Sequence, residues 1–123
     1  MKKALRIRKN EEFQEIIGQR RFYVNDSFAL YYRKKQGEQS RFGISVGKKQ
    51  GNAVLRNKIR RQVRMMMQEL DSGNWPFDGI LVVRSRYHQA DYRDNKKQLE
   101  SLLKKVIMDD TGMKGENDVQ STS

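Results

Sequence analysis

Lys48-Lys49-Gln50-Gly51-Asn52-Ala53-Val54-Leu55-Arg56-Asn57-Lys58-Ile59-Arg60-Arg61-Gln62-Val63-Arg64 is the stretch whose reading decides the fold. It holds seven basic residues and no acidic one. Gly51-Asn52 reads as a turn followed by an N-cap, since an Asn side chain accepts from the free N–H groups of a first helical turn. After the cap, Leu55, Ile59, Val63, Met66 and Leu70 recur at helical spacing and fall within one arc that must be buried. Arg56, Arg60 and Arg64 are four apart and form a second stripe. Asn57 and Arg61 continue that stripe around the side facing away from the apolar arc. One helix thus carries a core seam and a guanidinium seam. Its charges also oppose the macrodipole, with Arg56 and Lys58 near the start and Glu69 and Asp71 at the end, at a cost of about 0.3–1 kcal/mol per misplaced charge. A run that opposes the dipole and has no Glu at i±4 to relieve it suits an anion partner. Guanidinium forks hold phosphate oxygens bidentately.

Working outward, Asn10 is expected to cap a short first helix with Glu11 and Glu12 in its first turn, Phe13, Ile16 and Ile17 as its apolar side and Gly18 as its stop. Lys2 to Lys9 ahead of it reads as a basic leader, extended or flexible. Arg20–Val24 and Ser27–Lys34 read as strands around the turn Asn25-Asp26. In the second, Phe28, Leu30 and Tyr32 alternate with Ala29, Tyr31 and Arg33, so one set faces a core and the other something wetter. Arg41–Gly47 alternates likewise, with Phe42, Ile44 and Val46 on one face and Arg41, Gly43, Ser45 and Gly47 on the other. That second face is nearly bare, and a strand glycine often marks a close approach by another group. After the basic helix comes a loop, Asp71–Asn74. The run Ile80–Val83 within a strand Asp78–Arg84 suits burial on both faces. Tyr92–Met108 is a last helix, with Asp91 and Asp94 as partners of its dipole. The order α-β-β-β-α-β-α is an α+β sandwich, one four-stranded sheet with helices packed against it. The domain spans 1–109, and 110–123 reads as a disordered polar tail.

The chain has 123 residues, with 26 Lys and Arg against 15 Asp and Glu, a net charge of +11. Since Lys114 is outnumbered by Asp110, Glu116 and Asp118, residues 1–109 carry still more positive charge than the whole chain. Such an excess on a small body implies a polyanion, nucleic acid before an anionic membrane surface. The basic helix lacks the Trp or Phe of a membrane-surface helix, and no apolar run approaches the roughly 20 residues of a spanning segment. There is no cysteine, the N-terminus does not read as a signal peptide, and cytoplasmic residence is expected. The sole histidine, His88, reads as a surface or capping residue, so neither a His-rich metal site nor a Ser-His-Asp triad is expected. No HExxH, Walker loop or GxSxG elbow is present, and no acidic cluster suits two-metal phosphodiester hydrolysis. Binding chemistry remains: Arg and Lys for phosphates, with Phe13, Tyr31 and Arg41 as a stacking surface for unpaired bases.

Phe42-Gly43-Ile44-Ser45-Val46-Gly47-Lys48-Lys49, followed by Gly51 to Arg61 and Arg64, resembles the signature of the bacterial ribonuclease P protein component. The likeness also takes in Asn10–Phe13, Phe28–Tyr31, Val82–Arg84 and the closing helix, about residues 5 to 108. It implies an α/β sandwich with an unusual left-handed βαβ crossover, where such crossovers normally run right-handed. It implies a catalytic RNA subunit that works with bound Mg²⁺ and removes the 5′ leader of precursor tRNA, while the protein carries no catalytic residue and binds no cofactor or metal. The RNA would be held by Arg56, Asn57, Lys58, Arg60, Arg61 and Arg64, with Lys48, Lys49 and Asn52 at the head of the helix. Lys58 stands where the motif commonly has Arg; it keeps the charge and loses the fork. The single-stranded leader would lie in a cleft between the sheet and the first helix, with Phe13, Ile17, Tyr31 and Lys48 placed there by position and Arg33, Arg41 and Ser45 on the same strand faces. Expected partners are the catalytic RNA and precursor tRNA, with no membrane and no obligate protein partner. The rival readings are a generic RNA-binding or ribosomal protein without a processing role, a protein-only nuclease, which the thin carboxylate inventory disfavours, and a DNA-binding module, for which nothing marks a dimer.

Overall fold

The computed structural model describes residues 6, 7, 9–70 and 75–109. The 71–74 loop, the tail from 110 and most of the basic leader lie outside them. Seven elements follow the expected order: α1 (Asn10–Gly18), β1 (Phe22–Val24), β2 (Phe28–Lys34), β3 (Phe42–Ser45), α2 (Ala53–Leu70), β4 (Phe77–Val83) and α3 (Tyr92–Met108). Short 3₁₀ turns at Lys48–Gln50 and Ser85–Gln89 lead out of β3 and β4. The sheet order is β1-β2-β4-β3. Both β1–β2 and β2–β4 pair antiparallel, whereas β3 and β4 pair in parallel, so β3, α2 and β4 make one βαβ unit. The N-terminal segment extends the β3 edge: Arg6 bridges to Phe42 in parallel, and the Ile7 N–H donates to the Phe42 carbonyl at 2.8 Å.

Alternation gives the sheet two unlike faces. One is the main core, where Phe28, Leu30, Phe77, Leu81 and Phe42 meet Ile59, Val63, Met66 and Met67 of α2 and Leu99, Leu102, Leu103 and Val106 of α3. Phe77 sits among rings there, 5.5 Å from Phe42 and 6.2 Å from Tyr32 between centroids. Each such side chain taken fully from water contributes about 1.5–3 kcal/mol. The opposite face follows from register as three rows across the strands. The first is Val24, Ala29, Val82, Ser45; the second is Phe22, Tyr31, Ile80, Gly43; the third is Arg33, Asp78, Arg41. The helix α1 lies on this face, with Ile16 fully buried and Ile7 and Ile80 beneath it, forming a smaller second core.

Local signals explain the helix ends, with one exception. The Asn52 side chain accepts from the Leu55 N–H at 2.9 Å, and Asp91 does the same for Asp94 at 2.9 Å, so both are N-caps. Asn10 is not a cap. The helix already includes it, Lys9 occupies the cap position without a side-chain bond, and packing through Ile16 holds α1 instead. The apolar arc of α2 also shifts. Met67 is buried, while Leu55 is 36% exposed. Leu55 folds over Gly51 instead: with φ at 144° there, a Cβ would lie 2.6 Å from Leu55 Cδ2. The run Ile80–Val83 is buried on both faces except at Val82, which is half-buried in the first row.

Candidate nucleic-acid interface

Two surfaces emerge. The first is cationic. Lys48 and Lys49 stand exposed on the 3₁₀ turn that follows β3, and Asn52, Asn57, Lys58 and Arg61 are exposed on the first turns of α2. Arg56, Arg60 and Arg64 are half-buried: their stripe borders the core arc and does not face away from it. Local bonds orient two of them, Arg56 Nε to the Gly51 carbonyl at 3.2 Å and Arg60 Nη1 to Asn57 Oδ1 at 2.9 Å. Among the described residues no carboxylate pairs with Lys48, Lys49, Arg56, Lys58, Arg60 or Arg61. The single acid of α2, Glu69, is turned to α3, where it accepts from Tyr92 Oη at 2.9 Å and pairs with Lys96 at 3.1 Å. Those two bonds hold its carboxyl below the ordinary range. The cations from Arg56 to Arg61 therefore lie along about 7.5 Å of helix axis with no carboxylate partner among the described residues.

The second surface is the open part of the α1 face. The helix α1 packs over Tyr31, Ile80 and Gly43 of the second row and Arg33 of the third, and leaves Val24, Val82 and Ser45 of the first row half-buried, a strip of sheet called the groove below. Ile17 and Tyr31 border it, and both pack with Phe13 and Val82 around the small core. The chain leaves β3 at Ser45 and reaches Lys48 three residues later, so the groove opens toward the cationic end of α2. Phe13 explains the bare strand face. Its ring occupies the space above Gly43, where a Cβ would come within 2.6 Å of Phe13 Cζ and 2.9 Å of Ile80 Cδ1. What approaches Gly43 closely is thus a side chain of the protein.

Phe13, Ile17, Tyr31 and Ser45 are brought together with Lys48 nearby, while the two arginines expected beside them, Arg33 and Arg41, are both bound to carboxylates of α1. Arg33 is 2% exposed. Its Nη1 donates to Glu15 at 2.8 Å, its Nε to Asp78 at 3.2 Å and its Nη2 to Glu12 at 3.4 Å. It belongs to the packing between α1 and the sheet and is withdrawn from the cleft surface, because a cation this deep must be paired. Arg41 forms a two-pronged pair with Glu12 at 2.7 and 2.9 Å, which ties the edge of its guanidinium to α1 while the side chain stays partly exposed. The Arg41 fork holds the Glu12 carboxyl below its usual range, and Glu12 in turn raises the Arg41 guanidinium. Sequence reasoning missed Phe22, 41% exposed and stacked on Tyr31 with centroids 4.9 Å apart. Counting back through the Asn25-Asp26 hairpin places Phe22 opposite Tyr31, and that register was the signal.

A small α+β sandwich with a cationic helix on one side, most of its cations without a carboxylate partner among the described residues, and a partly open sheet face on the other belongs to the class of polyanion-binding domains. Among the described residues no helix is long and apolar enough to cross a membrane. The ribonuclease P family model matches residues 1–107. The chain is 43% identical over 109 residues to the ribonuclease P protein component of Mesoplasma florum, covering 87% of this chain and 99% of that one. It superposes on the Staphylococcus aureus RNase P protein with a TM-score of 0.77 at 36% identity, over 85% of this chain and 96% of that one. For the Thermotoga maritima RNase P protein the TM-score is 0.70 at 28% identity, over 81% and 96%. The chain belongs to the ribonuclease P protein family, and it is a protein subunit of that tRNA-processing ribonucleoprotein.

Proposed function

We propose that this subunit divides its work between its two surfaces. The helix α2 and the Lys48–Lys49 turn bind the catalytic RNA, and the groove beside α1 holds the single-stranded 5′ leader of precursor tRNA. The observation that carries the first part is that, among the described residues, Lys48, Lys49, Arg56, Lys58, Arg60 and Arg61 have no carboxylate partner. Such a surface is costly by itself and gains by meeting phosphates. The groove fits the second part because a leader offers no fixed sequence. A holder with small and apolar floor residues, a Tyr31–Phe22 ring pair and a lysine at its mouth grips backbone and stacks loosely on bases.

Cleavage chemistry in this proposal is carried by the RNA with its Mg²⁺. The carboxylates that do gather in the protein, Glu12, Glu15 and Asp78, surround the guanidiniums of Arg33 and Arg41 and do not suit an ion. What the chain's own residues do is neutralise phosphate, so that two anionic RNAs approach, and orient the leader. The proposed partners are the catalytic RNA and precursor tRNA in the cytoplasm, with no membrane and no obligate second protein. The test is reconstitution with a bacterial catalytic RNA at low Mg²⁺. The full chain should restore leader removal, Lys58→Ala with Arg61→Ala should weaken it, and the chain free of RNA should cleave nothing. Cleavage by the protein alone would replace this reading with that of a protein nuclease.

A further inference from the structure

The two 3₁₀ turns that lead out of β3 and β4 are joined by one pair of side chains. His88 Nε2 lies 2.8 Å from Gln50 Oε1, and Gln50 Nε2 donates to the Val83 carbonyl at the end of β4 at 3.4 Å. Together these contacts fix the chemistry of both groups. A carbonyl only accepts, so the Gln50 amide turns its NH₂ to Val83 and its oxygen to the ring. The imidazole must then donate from Nε2, and a neutral His88 is the Nε2–H tautomer.

One side of this pair is firm. Tyr87, beside His88 on the Ser85–Gln89 turn, is buried, and its ring meets Phe28 edge-on at 5.7 Å. Its Oη donates to Gln62 of α2 at 2.7 Å, and its carbonyl accepts from the buried Asn95 of α3 at 3.0 Å. The other side is slight. The Lys48–Gln50 turn has three residues, no side-chain cap at Gly47, and a closing Gly51 with φ at 144°. The Gln50 N–H donates to the Gly47 carbonyl at 3.0 Å and the Gly51 N–H to the Lys48 carbonyl at 3.3 Å, both within the turn itself. Hydrogen bonds in 3₁₀ geometry are poor, so these alone hold it loosely. Lys48 and Lys49 are exposed on this turn, and Gln50 alone of the three is half-buried. Gln50 is the side chain that ties the turn to the body of the fold, and His88 and Val83 are what hold Gln50.

We propose that His88 and Gln50 form a lock that positions Lys48 and Lys49 for backbone phosphates of RNA. His88 acts through the turn and not by touching RNA, which makes it a positioning residue. The inference rests on the reading of the two lysines as RNA contacts and goes beyond it. A turn already held in place presents both ammonium groups without being ordered at the moment of binding, whereas a loose turn loses affinity to that ordering.

The lock is tested in the full chain. His88 is the sole histidine, so its ring signals in NMR are unambiguous. The neutral ring should hold a single Nε2–H tautomer, and Gln50→Ala should return it to a mixture of both; a mixture in the wild type would overturn the lock. Affinity is then measured in two arms, the chain for a bacterial catalytic RNA and the reconstituted holoenzyme for precursor tRNA, which tell whose phosphates the lysines meet. The variants are His88→Ala, His88→Gln, Lys48→Ala with Lys49→Ala, and that pair with His88→Ala, each with its melting temperature. His88→Ala should weaken binding about three- to tenfold in at least one arm. His88→Gln, which keeps a donor, should restore most of the loss, and His88→Ala should cost nothing more once both lysines are gone. A loss that persists without the lysines makes His88 a direct contact and overturns the proposal. A lower melting temperature with unchanged affinity makes the pair purely structural and overturns it as well. If the lysine pair weakens binding and His88→Ala does not, the lock is wrong and the reading of the lysines stands. If the lysine pair changes neither affinity, that reading itself fails.

Discussion

Replacing Arg33 by alanine separates the two roles open to that residue. In the structure its guanidinium is enclosed between α1 and the sheet and serves Glu12, Glu15 and Asp78. Asp78 is itself 2% exposed, so Arg33→Ala strands a buried carboxylate whose remaining partner is the Arg41 N–H at 2.9 Å. Glu15 is open to solvent and Glu12 keeps Arg41, so the cost centres on Asp78. Breaking a buried pair on one side costs about 3–5 kcal/mol, a large share of the roughly 5–15 kcal/mol that holds a domain together. At about 4–8 °C per kcal/mol for a domain of this size, the melting temperature should fall by roughly 12 °C or more. Arg33→Met combined with Asp78→Asn removes both charges and keeps an acceptor for the Arg41 N–H, and it should recover much of the loss. The assay is urea and thermal denaturation of the wild type and the two variants, read alongside their affinity for leader-bearing precursor in the holoenzyme. An Arg33→Ala protein that melts like the wild type yet loses leader affinity would refute this reasoning and return Arg33 to the cleft.

Gly43→Ala drives a methyl to within 2.6 Å of the Phe13 ring and 2.9 Å of Ile80, and it should cost about 1–3 kcal/mol by denaturation while shifting the Phe13 resonances. Leader affinity should fall with affinity for the catalytic RNA unchanged. Acid should loosen α1. The Glu12 carboxyl is depressed by Arg41, so its stabilisation is complete above its unfolded value of about 4.3 and is lost as the pH falls through the lower folded value. Denaturation at pH 7 and pH 3 should show a larger loss for the wild type than for Glu12→Gln, and equal losses would remove Glu12 from the α1 clamp. Asn52→Ala should cost about 0.5–2 kcal/mol through the lost cap, and Asn52→Ser should restore stability. A Ser variant that is stable yet weak in RNA binding would make Asn52 a contact as well as a cap.

The sheet was legible from alternation. Phe28, Leu30 and Tyr32 point to the main core and Tyr31 and Arg33 to the other face, as a period of two requires. The Asn52 cap was legible because Asn52 precedes an apolar periodic run, whereas Asp91, read as a dipole partner of the last helix, turns out to be its cap. Leu55 and Asn10 were misplaced for one reason: where a helix begins relative to the sheet is a tertiary matter, and a pattern shows which side is apolar without showing how far the sheet extends. Arg33 was misread because a buried, triply paired cation and a solvent-facing one look alike in a strand. Only the placement of Glu12 and Glu15 on a helix crossing that strand decides between them. The small residues at Gly43 and Ser45 told of a close approach without naming what approaches: at Gly43 it is Phe13, and at Ser45 the groove is open.

The central claim is that the two faces bind different RNAs, and it is tested most directly by one comparison. The affinity of reconstituted holoenzyme for precursor tRNA and for mature tRNA is measured with the wild-type chain and with Tyr31→Ala, together with the affinity of each chain for the catalytic RNA alone. The expected result is a wild-type preference for precursor that largely disappears in Tyr31→Ala while catalytic-RNA affinity stays the same. Full retention of the preference in Tyr31→Ala, or a loss of catalytic-RNA affinity equal to the loss on precursor, would contradict the division of labour between groove and helix.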